Sequence, residues 1–189
     1  METIVILIML LVGLSFLLKL TFMKPAAAVA EAVILAAAAI MMTDVAAMQS
    51  KTQIAGWLRS PELMLDVAVI LTIDVAVQIA FCFAADSNSR RLSERMLRSA
   101  LLYFPGLLIF PTMFYLLTAM LFSFTGANFN TIGYGLGAVI AVAAPTLALG
   151  LKALLPDRFS RLELIFYLNC IVAMLGVVAT VNGRPQVVL

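Results

Sequence analysis

From Leu63 to Ala85 the chain reads LMLDVAVILTIDVAVQIAFCFAA, an apolar run that carries two carboxylates, Asp66 and Asp74. About 20 residues rising 1.5 Å each cross the hydrocarbon of a bilayer, so a run of this length predicts a membrane-spanning helix. Asp74 falls near its middle. An ionisable side chain at mid-depth costs about 2.5–3.5 kcal/mol on insertion scales, so it needs a compensating partner or a function. The other apolar runs read as scaffolding around this helix.

Composition points the same way. Of 189 residues, 64% are hydrophobic and 12% charged, with a mean hydropathy of +1.12. A soluble domain is about half apolar and about a quarter charged. Histidine is absent, which removes the commonest metal and haem ligand and the usual pH switch. Cys82 and Cys170 lie in apolar runs with no CxxC pattern, so they read as small buried side chains, and no metal or cofactor is expected. There is no P-loop, zinc-protease motif or nucleophile elbow, and a serine–histidine pair is impossible. The expectation is therefore no enzyme, no catalytic residue and no nucleic-acid partner.

Six spans are predicted, at about 3–22, 25–48, 63–85, 97–124, 130–154 and 160–181, forming one all-α polytopic membrane bundle over residues 1–189. Ile4 to Leu18 imitates a signal peptide, but Glu2 precedes it and Lys19 and Lys24 follow, the reverse of a positive leader. The first run is expected to be kept as a span. Pro25 and Pro61 suit first helical turns, and Asn182-Gly183 suits a helix stop. Trp57, between the second and third spans, reads as an interfacial anchor. Pro105 and Pro111 are expected to kink the fourth span. Gly133, Gly137 and Ala141 form a small-residue stripe for close helix packing, as does the alanine-rich second span.

Loops after the first, third and fifth spans carry nine of the twelve basic residues. The positive-inside rule then places both termini outside the cytoplasm, in an orientation suited to a bacterial inner membrane. Arg90, Arg91, Arg95 and Arg98 form a cytoplasmic patch suited to anionic headgroups or to a docking partner.

Within the spans the polar set is small: Glu31, Asp44, Asp66, Asp74, Gln78, Asn169, and hydroxyls such as Thr43, Thr72, Thr112 and Thr146. Asp74 and Gln78, four apart, share a helix face. Asp44 and Asp66 are expected at similar depth on neighbouring helices. No lysine or arginine lies in the core of any predicted span, and Lys19, near a helix end, is expected to snorkel to the surface. Three readings of Asp74 stay open: a neutral or hydrogen-bonded carboxyl, a proton or ion carrier, or a contact to another subunit.

In size and span count the chain resembles the small accessory membrane proteins that accompany proton channels of the ExbB, TolQ and MotA kind. That resemblance implies a transport-related subunit of a larger membrane complex driven by the proton gradient, with other membrane subunits and the lipid bilayer as partners. The alternative is a stand-alone proton- or cation-coupled transporter using the carboxylates of the second and third spans. No internal repeat supports it.

Overall fold

The computed structural model describes residues 2–49, 56, 61–86, 92–124, 126 and 128–182. Trp57, Arg90, Arg91 and Gly183 lie outside them. Among the described residues there are eight α-helices and no strand: α1 (Glu2–Leu20), α2 (Pro25–Met41), α3 (Thr43–Ala47), α4 (Pro61–Asp86), α5 (Leu92–Tyr103), α6 (Ile109–Ser123), α7 (Phe129–Leu154) and α8 (Arg158–Asn182). Five segments are long and apolar enough to cross a membrane: Thr3–Leu20, Pro25–Ala47, Asp66–Asp86, Phe129–Leu154 and Arg158–Ala179. By length and composition this is a multi-pass membrane protein.

Local chemistry sets the boundaries. Pro25 opens α2, and Lys24 before it is extended (ψ 146°), as a residue preceding proline must be. Pro61 opens α4. Asp157 starts α8: the Ser160 N–H and hydroxyl both donate to its Oδ2, at 2.9 and 2.8 Å. These bonds hold the exposed Asp157 carboxyl below its ordinary pKa, the Ser160 backbone N–H being the largest cause.

The fourth predicted span is the exception. It is not one kinked helix over 97–124 but two helices, α5 and α6, separated by Phe104–Leu108. Pro105 lacks the N–H that helix continuity needs, and Gly106 takes a φ of +103°, which side chains other than glycine's rarely adopt. With 15 residues, α6 spans only about 22 Å, less than the roughly 30 Å of hydrocarbon. The non-helical stretch therefore lies within the bundle.

α1 sits centrally, packed against α6, α7 and α8. Two tight pairs flank it, α2 with α7 and α4 with α8. Each pair closes over glycine. A Cβ on Gly133 would strike Thr43, one on Gly137 would press on Ile40 and the Ala36 carbonyl, and one on Gly176 would meet Leu71. The small-residue stripe thus serves contacts within the chain, with Ala141 half-buried beside it. Val12, Phe16, Ala32, Leu35, Val75 and Val172 form the main core. Large apolar side chains such as Leu10, Ile34, Val69, Phe83 and Met174 cover the outside, as suits lipid.

Candidate functional site

The break between α5 and α6 leaves backbone groups that no helix satisfies, and three buried polar side chains meet them. From α1, Lys19 Nζ donates to the Phe104 carbonyl at 2.6 Å and to Gln78 Oε1 at 3.2 Å. From α4, Asp74 Oδ1 accepts the Leu107 N–H at 2.6 Å. Lys19, Asp74 and Gln78 are 1%, 3% and 4% exposed. Within a membrane, irregular backbone is tolerated only where protein or trapped water supplies its hydrogen bonds. Gly106 is what lets α4 approach: a Cβ there would lie 2.8 Å from Gln78 Nε2 and 3.0 Å from Asp74 Oδ1.

Lys19 corrects the expectation that Asp74 has no cation within its own chain. It does not snorkel. Its ammonium lies 5.1 Å from the centre of the Phe81 ring and within electrostatic reach of both Asp74 and Glu31. Though it lies in the last turn of α1, the side chain is enclosed by the bundle. Glu31, on α2, is buried and faces the same charge.

Beside the carboxylate is a cavity of about 10 Å³, close to the roughly 10–15 Å³ that holds one water. Asp74, Gln78, Asn169, Ser15 and Gly106 are among its walls. Asn169 Nδ2 donates to Ser15 Oγ at 3.0 Å and to the Ile165 carbonyl at 2.8 Å, so it closes the cavity without bonding Asp74 directly. The arrangement can hold one proton-carrying molecule between a carboxylate, two amides and a hydroxyl.

The other expected residues are placed elsewhere. Asp44 and Asp66 are exposed, on α3 and α4, which do not form one of the packed helix pairs; they are not brought together. Thr43, Thr72, Thr112 and Thr146 each donate to the carbonyl four residues back along the chain and take no part. Cys82 is buried, its thiol directed at the Leu162 carbonyl, and Cys170 is half-buried; both are free. Arg95 is exposed, while Arg98 is half-buried. Among the described residues no group of three or more acidic or cysteine side chains is placed to hold a metal ion.

Sequence reasoning missed Lys19, Ser15 and Gly106. Two signals were present: Ser15 and Lys19 are four apart on one face of α1, and Pro105-Gly106 is a helix-breaking pair inside an apolar run. Comparison with protein-family models, curated proteins and solved structures yields no match for this chain.

Proposed function

We propose that this protein is a small proton-coupled membrane transporter in which Asp74 takes up and releases the proton. One observation carries the reading: a buried carboxylate and a buried cation both hold the backbone of the break in one span. Asp74 secures the Leu107 N–H and Lys19 the Phe104 carbonyl. Protonating Asp74 removes the negative charge that offsets Lys19 and weakens a charge-assisted hydrogen bond to the break. The charge state of one residue is thereby coupled to the conformation of Phe104–Leu108. Discontinuous helices serve this purpose in many carriers, where they place coupling ions near mid-membrane. Asp74 lies twelve residues from the end of α4, about 18 Å along the helix, which is that depth.

The reading includes an orientation. The basic end faces the cytoplasm of a bacterial inner membrane, and both termini lie on the other side.

A second reading, a subunit of a proton-driven complex of the ExbB, TolQ and MotA kind, has one observation in its favour. Asp44 and Asp66 are exposed on the bundle surface, where another chain would cover them. Asp74, which could have marked a subunit contact, faces Lys19 within the chain.

The test is proton flux into liposomes containing this protein alone, read by a trapped pH dye under an imposed potential. Wild-type flux that Asp74→Asn abolishes and Asp44→Asn leaves intact supports the transporter. Flux equal in the wild type and Asp74→Asn removes Asp74 from the mechanism. Flux that needs a co-purified partner moves the protein to the second reading.

A further inference from the structure

A second cavity opens at the basic end of the bundle and shares no lining residue with the one beside Asp74. Its volume is about 230 Å³, far above the roughly 10–15 Å³ that holds one water. Arg98 of α5, Lys152 of α7, and Arg158 and Arg161 of α8 all line it, and among the described residues no carboxylate does. Four cations converging without a counter-charge repel one another unless an anion joins them.

Arg161 strengthens the case. It is 5% exposed, its Nη1 donates to the Leu155 and Pro156 carbonyls at 2.6 and 3.2 Å, and its Nε is buried with no partner among the described residues. A buried charged donor left unsatisfied is costly, and an anionic oxygen is the partner a guanidinium fork best fits. The site is built. Arg161 and Arg158 stack on the Phe22 ring at 5.2 and 6.0 Å, and Arg158 Nη2 donates to the Ala85 carbonyl at 3.1 Å.

We infer that this cavity binds a phosphate oxyanion, presented by the headgroup of an anionic phospholipid. The location favours lipid over a soluble anion: Lys152, Arg158 and Arg161 sit near the ends of two helices long enough to cross a membrane, where headgroups lie, and Phe22, Phe81, Ala85 and Leu102 form an apolar wall beside them. The inference does not depend on proton coupling, and its test reads no flux.

The full chain is purified in a neutral detergent, and its thermal stability is followed as phosphatidylglycerol, phosphatidylcholine or inorganic phosphate is added, with chloride at matched ionic strength as control. Phosphatidylglycerol is expected to stabilise the wild type more than phosphatidylcholine does. In an Arg98→Gln/Lys152→Gln variant the apparent affinity falls about 30-fold, from about 1 kcal/mol per basic residue and 1.4 kcal/mol per tenfold. Arg161→Lys, which keeps the charge but loses the fork, weakens binding as well. Stabilisation by inorganic phosphate, lost in the same variants, keeps the oxyanion site and overturns the lipid source. No response to either phosphate, or an equal response in wild type and double variant, overturns the site.

Discussion

Replacing Lys19 by methionine keeps the length of the side chain and removes the ammonium that Phe104 and Gln78 accept from. Asp74 and Glu31 are then left without the buried cation they face. Leaving buried acceptors without their donor costs about 1–3 kcal/mol, so Lys19→Met is expected to destabilise by that order. Asp74→Asn keeps an oxygen for the Leu107 N–H and should cost less. Because the two residues hold one segment, the double variant is expected to lose less than the sum of the singles, a coupling of about 0.5–3 kcal/mol. Unfolding in mixed neutral detergent and SDS measures all three, and strict additivity would show that the residues act independently. At this scale Asp74 and Gln78 were legible, since four-residue spacing places them on one helix face. The role of Lys19 was not. Its partners lie 59 and 85 residues away, and no pattern along α1 records that proximity.

Among the helices, the break between α5 and α6 depends on Gly106. Gly106→Ala forces a Cβ into a positive-φ conformation and against Gln78 and Asp74, at a cost of about 1–3 kcal/mol for the strained backbone. A lowered melting temperature is expected, and an unchanged one would mean the segment rearranges freely. The start of α8 supplies a pH-dependent counterpart. The Asp157 carboxyl is held below its ordinary value of 3.8, so the cap's contribution is present above that pH and is lost as pH falls through the depressed value. The melting-temperature gap between wild type and Asp157→Ala is thus expected to be constant above about pH 5 and to close progressively below the ordinary carboxylate range. A gap that widens in acid would contradict the cap. Long helices were readable from hydropathy alone, and Pro25 and Pro61 marked two starts correctly. The fourth span was misread as continuous because its apolar side chains run unbroken across Pro105-Gly106. Hydropathy reports what a segment is dissolved in, whereas the break is decided by backbone donors and by the residues that replace them.

Across the whole molecule, charge is sorted by end. Thr21, Phe81, Arg98, Lys152, Arg158 and Arg161 surround one cavity, so the ends of α1, α4 and α7 and the starts of α5 and α8 gather at one pole. The sequence reading grouped these basic residues by counting six spans; among the described residues five helices are long and apolar enough to cross a membrane, and neither half of the broken fourth span is one of them. If the positive-inside rule governs this chain, the basic pole is cytoplasmic. In a background with Cys82 and Cys170 replaced by serine, Ser93→Cys at that pole and Asn128→Cys between α6 and α7 place one exposed thiol at each end. A membrane-impermeant maleimide added to intact cells is expected to label Asn128→Cys at once and Ser93→Cys only after permeabilisation. Labelling in the opposite order would invert the protein, put the cationic cavity on the outer face and reverse the side from which Asp74 receives its proton. Labelling of both in intact cells would mean that the polypeptide between α4 and α7 does not cross the membrane an odd number of times, and the broken span would then be a re-entrant segment.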